Sequence, residues 1–594
     1  MMIELQYPFD VDYIFQNKRK IKKQLLLKQN LIEKNIAILG GSTTGEIKNI
    51  LEIFLLNYGI KPNFYESKYN MYYEDAMFFN DELINFKPDI VYIHTTLKNI
   101  LKFPTINDNE EKINDLLDSQ YLKFESMWNS IYKKFNSVII QNNFEYPSYR
   151  LLGNKDASDI HGKINFITKL NQRFYDYANK NRNFFINDIN YVSSCYGLDK
   201  WLNDFYWHQY KYAMDFSAIP YLAFNLANII KSIYGYNKKS VILDLDNTLW
   251  GGVISEDGLD KIKIGNGNPI GEAYLEFQKY LKELKSIGIV LNINSKNYYE
   301  DAIMGLNSQF CLLKPNDFVI IKSNWENKNI NVDSIVHDLN LGNEAFVFVD
   351  DNPVERNLVR ISNIGVSVPE VNKIEEYIKI IDHNGYFEIT NFSNEDLNKT
   401  ELYKSNLKRS ENVKMYNNYR DYLLSLNMVA EIESFKSIYM DRICQLINKS
   451  NQFNLTTKRY SCSSLEAIKN DNSFITLYGK LSDIYGDNGL VSIVIGKIKE
   501  DFTLHIDLWV MSCRVLKRDL EFAMMNKLVN VAKKNHLKYI YGYYYPTLKN
   551  EMVSDFYSKC GFEEISNTCD SKIYKLDILN FNYMDVPIEV KNNA

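Results

Sequence analysis

The sequence predicts a chain of several α/β domains, and three observations carry that reading. Short apolar runs ending in small or acidic residues recur: Ile36-Ala-Ile-Leu-Gly-Gly-Ser42, Ser240-Val-Ile-Leu-Asp-Leu-Asp246 and Ala345-Phe-Val-Phe-Val-Asp350. Such runs mark strands buried in parallel sheets. Amphipathic helical patterns follow at the spacing of βαβ units. The chain has 594 residues, enough for three or four domains at roughly 150 residues each.

The first segment pairs the strand at Ile36 with a helix from Thr44 to Leu56 and a strand at Ile90-Val-Tyr-Ile-His94. In the second, a helix from Gly271 to Ile287 lies between strands at Ser240 and Ile289-Val-Leu-Asn-Ile-Asn294, and the strand at Ala345 follows. These read as a doubly wound sheet with its site at the strand carboxyl ends. Asn391 to Tyr419 is charged and helical in pattern and joins the second segment to the third. The third holds a helix from Ile438 to Lys449, strands at Val491–Gly496, Thr503–Met511 and Tyr539–Tyr544, and helices Asp519–Lys534 and Glu551–Lys559, an α+β pattern with a mixed sheet.

Composition narrows the function classes. Lys and Arg total 69 against 74 Asp and Glu, a net charge of -5, which argues against a nucleic-acid binder working by bulk charge. The seven cysteines, Cys195, Cys311, Cys444, Cys462, Cys513, Cys560 and Cys569, form no CxxC pair, which fits unpaired thiols in a reducing compartment. Met1 to Lys20 lack the apolar core of a signal peptide, and no run approaches the roughly 18–20 apolar residues of a membrane span. The expected location is the cytoplasm, with neither a membrane nor a nucleic acid as partner.

The strongest chemical signal is Asp244-Leu-Asp246-Asn-Thr248. Strand alternation sends carboxylates at i and i+2 the same way. One can attack phosphorus while the other moves the proton. Ser295 at the end of a strand, Lys328, and Asp350-Asp351 at another strand end complete a set able to hold a phosphoryl group and Mg²⁺. About 46 residues separate Thr248 from Ser295, which ordinary connections consume, so no large lid is inserted there.

This ordered set resembles the haloacid dehalogenase superfamily. The string Asp244 to Gly258, Ser295-Lys-Asn297, Trp325 to Lys328, Asp350-Asp-Asn-Pro-Val-Glu-Arg356, Gln445 to Asn454, Ser512-Cys-Arg514 and Pro546 to Asn550 resemble the FkbH-like subfamily (IIIC). The resemblance implies three domains: a flavodoxin/SGNH-like α/β domain (1–235), an uncapped haloacid-dehalogenase-type Rossmannoid domain (236–385) and, after a helical linker (386–426), a GNAT-like α+β domain (427–594). It implies that Asp244 is the nucleophile and Asp246 the general acid/base, positioned by Thr248. Thr248, Ser295 and Lys328 would bind phosphate, and Asp244, Asp246, Asp350 and Asp351 would hold Mg²⁺. It also implies transfer of a glyceryl unit from 1,3-bisphosphoglycerate to the phosphopantetheine thiol of an acyl carrier protein, with loss of phosphate, in polyketide-type or related metabolism. The alternatives are an uncapped phosphatase for a phosphosugar or phosphoprotein, and a scaffold whose phosphatase residues are relics.

Two further segments invite roles. In GNAT-type acyltransferases a glycine-rich turn holds coenzyme A at a helix N-terminus. Here that stretch is Arg514-Val-Leu-Lys517-Arg518-Asp519, without glycine and with Asp519 to repel a phosphate, which argues against ordinary acetyl-CoA binding; a pantetheine arm, with its single phosphate, could still use Arg514, Lys517 and Arg518. Cys513 beside Arg514 is the candidate acyl acceptor and catalytic thiol, or a small buried hydrophobe. Relatives have Cys where this chain has Leu245. Asn451 and Gln452 suit a substrate hydroxyl or pantetheine amide, and Asp483 and Asp487 read as turn residues. Gly40-Gly-Ser-Thr43 resembles the nucleophile block of SGNH-type hydrolases, but no Asn follows the next strand and neither Asp204 with His208 nor Asp159 with His161 has DxxH spacing. A degenerate domain with a non-catalytic Ser42 is expected.

Overall fold

A computed structural model describes residues 2–28, 31–392, 394–450, 452–547, 550–568 and 570–591. The chain divides into two compact units, Met1–Ile233 with Ser461–Ser464, and Tyr234–Tyr460 with Leu465–Ala594.

In the first unit, β1 (Ile32–Gly40), β2 (Ile60–Glu66), β3 (Ile90–His94), β4 (Val138–Asn142) and β5 (Phe184–Asn187) form one parallel sheet in the order β2-β1-β3-β4-β5. This flavodoxin-type order reverses direction between β1 and β3, the point where such sheets bind ligands. β2, β4 and β5 escape the sequence signals; the apolar runs of β4 and β5, Val138-Ile-Ile140 and Phe184-Phe-Ile186, are only three residues long. β2 is hidden for another reason. Its Pro62 and Asn63 weaken the strand signal, and Pro is tolerated there because β2 lies at the sheet edge. Trp128, Phe124, Phe144 and Phe174 pack one face of the sheet.

In the second unit, β6 (Ser240–Leu243), β7 (Val290–Ser295), β8 (Phe318–Ser323) and β9 (Phe346–Val349) form a second parallel sheet, in the order β8-β7-β6-β9. Between β6 and β7 lie a four-residue helix, Ile254–Asp257, and the helix Pro269–Ser286, and no lid-sized element among the described residues. Asn268 starts the longer helix by accepting from the Ile270 and Gly271 amides, and Pro269 occupies its first turn.

The third sheet contains β10 (Met428–Glu433), β11 (Phe453–Asn454), β12 (Phe474–Asp483), β13 (Gly486–Ile498), β14 (Thr503–Met511), β15 (Tyr539–Tyr544), β16 (Glu563–Asn567), β17 (Lys572–Asp577) and β18 (Ile588–Lys591). Their order is β16-β17-β15-β14-β13-β12-β10-β18, with β11 on β14. β14 and β15 pair in parallel only over Thr503–His505 and Tyr539–Tyr541. Beyond that the strands part, and the chain's own residues 453–455 knit the gap. Phe453 and Asn454 pair with Met511 and Val510, the Leu455 amide donates to Trp509, and the Tyr545 amide donates to Leu455. Asn550, fully buried, donates to the Asn454 carbonyl at 2.8 Å.

The linker holds the helix Lys399–Val413. Arg409 on it grips Asp483 through two N–H groups at 2.9 and 2.6 Å, and Arg518 adds a third bond at 3.1 Å. Asp483, read as a turn residue, is therefore the anion of a buried ion cluster. One cysteine expectation is corrected: Cys444 and Cys462 are disulfide-bonded, whereas Cys195, Cys311, Cys513 and Cys560 are free. No described helix is long and apolar enough to cross a membrane.

Candidate active site

The carboxyl ends of β6, β7 and β9 deliver the motif residues to one place. Asp244 follows β6, its amide donating to Val349 at 3.0 Å. Asn247 turns the chain in the left-handed region, at φ 52°, which Asn tolerates better than most residues. Lys328 opens the helix Lys328–Asp338, and its Nζ stands 2.9 Å from Asp244 Oδ2 and 2.6 Å from Asp350 Oδ2. Oxygens of Asp244, Asp350 and Asp351 lie within 4.8 Å of one another. Arg356, itself buried, donates to the carbonyls of Asp350 and Asp351 and fixes that turn.

The charges are tightly coupled. Burial acts against the Lys328 ammonium, but the carboxylates of Asp244 and Asp350 outweigh it and hold it above its ordinary range. Burial, then the Asp244 charge, push Asp350 up to about 6. Asp351 is raised for the same two reasons. Three like charges around one lysine repel each other, and a divalent cation relieves that repulsion. The oxygen donors suit Mg²⁺, which prefers one or two carboxylates with waters and phosphate oxygens.

Asp246 lies outside this cluster, so the expected four-carboxylate metal set reduces to three side chains. Its carboxylate accepts from Trp250 Nε1 (2.9 Å), the Ile254 amide (3.1 Å) and Asn297 Nδ2 (2.8 Å). Burial raises its pKa against those bonds, which suits a group that gives up and takes back a proton. Asn297 also donates to Ser295 Oγ at 3.2 Å. Thr248 was expected to position Asp246. Its Oγ instead accepts from the Asp351 amide at 3.2 Å, because the chain turns at Asn247 before reaching it. Trp250 and Asn297 are the positioning residues the sequence reading missed; their signal was proximity to the motif aspartate and Ser295. Lys296 pairs with Glu355 at 2.6 Å.

The turn after β14 is not brought to this site. The Cys513 carbonyl accepts from Asn340, which lies beyond the far end of the helix that Lys328 opens, and eleven helical residues span roughly 16 Å. The Cys513 side chain packs with Val319, Val336 and Leu407 against the core beneath the second sheet, the environment of a small hydrophobe. Arg518 is committed to Asp483, Asn406 and the Arg514 carbonyl, so it cannot also face a phosphate. Lys517 is exposed, and its carbonyl accepts from Tyr419. Arg514 Nε bonds Ser512 Oγ at 3.3 Å. Gln452 is half-buried beside β11, and Asn451 lies outside the described residues.

In the first unit the strand ends gather polar groups of another kind. Ser42 is buried, with no hydrogen-bond partner for its Oγ. Asn99, five residues past β3, donates to the Gly41 carbonyl at 2.9 Å, so an Asn does reach this turn although none directly follows the strand. Burial pushes His94 down to about 4 and Glu145 up to about 7. Asp204 and His208 lie on a seven-residue helix, Asp204–Tyr210, and the Tyr210 carbonyl accepts from Thr43 Oγ at 2.7 Å.

A parallel sheet whose first strand ends just before Asp244, with a strand-end Ser, a helix-borne Lys and an acidic pair, defines an enzyme of the haloacid dehalogenase type. Residues 35–231 match the family model described as the FkbH N-terminal domain. A crystal structure of the N-terminal part of a Bacteroides fragilis protein, containing a phosphatase domain and complexed with Mg, is 28% identical with a TM-score of 0.59. It covers 63% of this chain and 99% of its own. An Escherichia coli ribosomal-protein-S18-alanine N-acetyltransferase (13% identity, TM-score 0.21, 25% of this chain, 94% of its own) also matches. So does a Vibrio cholerae spermidine N-acetyltransferase (16% identity, TM-score 0.22, 26% and 99%). Likeness at that level says nothing of ligand or reaction. No curated protein matches the chain in sequence.

Proposed function

We propose that the chain transfers a glyceryl unit from 1,3-bisphosphoglycerate to the phosphopantetheine thiol of an acyl carrier protein, with both phosphates of the donor released. The observation that carries this reading is the convergence of Asp244, Lys328 and Asp350 at the strand ends of an FkbH-like chain. Asp244, Asp350 and Asp351 would hold Mg²⁺, which when bound offsets the charge of the phosphate oxygens. Lys328 and Ser295 hold the phosphoryl group. Asp246, braced by Trp250 and Asn297, donates a proton to a leaving oxygen and accepts one from an incoming nucleophile. If water rather than a thiol is the final acceptor, Asp244 attacks phosphorus and the phospho-aspartate is hydrolysed.

That second reading, an uncapped phosphatase for a phosphosugar or phosphoprotein, draws support from Leu245 and from the distance of Cys513 from Asp244, which leave no described thiol beside the carboxylates. One assay separates the two. The protein is incubated with 1,3-bisphosphoglycerate, Mg²⁺ and a phosphopantetheinylated carrier, and the carrier is weighed. A gain of one glyceryl unit is expected. Phosphate release with no mass gain on any cognate carrier favours the phosphatase.

A further inference from the structure

The rim of the site carries a feature the phosphoryl chemistry leaves unused. Tyr298 and Trp325 are 61% and 59% exposed, yet their rings meet edge-to-face at 5.7 Å. They stand on the loops leaving β7 and β8. Tyr298 is three residues past Ser295, and Trp325 three residues before Lys328. Three residues span at most about 10 Å, so both rings flank the groups that hold phosphate. The loops are tied together: Ser323 Oγ donates to the Asn297 carbonyl at 2.9 Å. Val354, in the first turn of the helix Pro353–Ser362 that follows β9, is exposed as well.

The lysine nearest Tyr298 in the chain is already taken. Lys296 is paired with Glu355, and Glu300 and Glu326, next to Tyr298 and Trp325 in the chain, are exposed. A second anionic group would be repelled there, while a neutral chain rich in C–H groups and amides would find two ring surfaces, an indole N–H and a phenol. Two of the described thiols are not available as acceptors here: Cys513 is at the other end of the helix and Cys311 is buried against Gln278 and Leu313, which favours an acceptor from outside.

We infer that the Tyr298–Trp325 pair is the ledge on which the neutral, amide-bearing arm of the acceptor thiol lies as it reaches Asp244. The inference rests on the glyceryl-transfer reading. The step it serves is balanced: the sulfur–carbon bond forms, the bond from the acyl carbon to the phosphate oxygen breaks, Asp246 takes the thiol proton and the first phosphate leaves; the remaining 3-phosphate is removed by attack of Asp244 on phosphorus and then by water, which leaves the glyceryl thioester.

The test uses the full chain carrying Asp244→Asn, with free pantetheine as the probe and calorimetry as the readout, so that no turnover is needed. Adding Trp325→Ala or Tyr298→Ala is expected to weaken pantetheine binding about tenfold each, with inorganic phosphate affinity unchanged and the melting temperature kept. Pantetheine affinity unmoved by both substitutions, or absent at millimolar concentration, overturns the ledge. If phosphate and pantetheine weaken together, the rings merely shape the site, and the ledge also fails. Separately, native protein that binds pantetheine through the rings but forms no glyceryl thioester from 1,3-bisphosphoglycerate removes the transfer reading alone.

Discussion

The chain contains two parallel sheets whose carboxyl ends gather buried polar groups, and the two gatherings differ in charge. At the ends of β6, β7 and β9, three carboxylates surround one lysine that they hold protonated. At the ends of β1, β3 and β4, Ser42, His94, Asn99 and Glu145 gather with His94 pushed neutral and Glu145 pushed to about 7. The same architecture thus stores charge in one case and suppresses it in the other. Strand ends alone do not make a phosphoryl site; the cation delivered by a helix start does.

The largest test of this contrast is Asp244→Asn. It should lower phosphate release at least about a thousandfold while circular dichroism stays native; unchanged release would remove the nucleophile. Lys328→Met leaves three carboxylates without their cation and should cost about a hundredfold, part of it recovered at higher Mg²⁺ in the same assay. Asn297→Ala frees one oxygen of Asp246 and should cost about tenfold, with the alkaline limb of the pH–rate profile shifted rather than the affinity for phosphate.

The neutral cluster is tested by stability. Glu145 titrates at about 7 in the folded chain against 4.5 for an ordinary glutamate. Between those values the folded state keeps a proton the unfolded state has lost, so its contribution to stability falls as pH rises from about 4.5 to 7. Glu145→Gln should therefore melt about 5 °C higher than the native chain at pH 8 and scarcely differ at pH 4. His94 works the other way: held near 4, it removes stability as pH falls from about 6.5 to 4. The smallest effect is expected of Cys513→Ser. Phosphate release should stay within about twofold, as for a residue that only packs; loss of release with the fold intact would return the thiol to the chemistry.

β1, β3, β6, β7 and β9 were legible because buried strands have continuous apolar runs and acidic or small ends. β2, β8 and the strands of the third sheet other than β13, β14 and β15 were not, since partly buried strands carry Pro62 or charged residues such as Lys572 and Glu563; β4 and β5 were passed over as well, their apolar runs Val138-Ile-Ile140 and Phe184-Phe-Ile186 being only three residues long. The motif aspartates, Ser295 and Lys328 could be read from type and order. The roles of Trp250, Asn297 and Thr248 could not, because they depend on how the turn at Asn247 folds back. Arg518 and Asp483 misled for a common reason. Sequence shows a charge but not its partner, and here each is the other's.

The residues 453–455 that fill the parting of β14 and β15 bear on how the third sheet breathes. Backbone bonds join them to both strands, and Asn550 locks them from the side. The amides of Leu455 and Tyr545 should therefore swap hydrogen for deuterium together, and only when this short insert lifts out as a piece. Their exchange rate becomes a clock for that single opening, readable without any ligand.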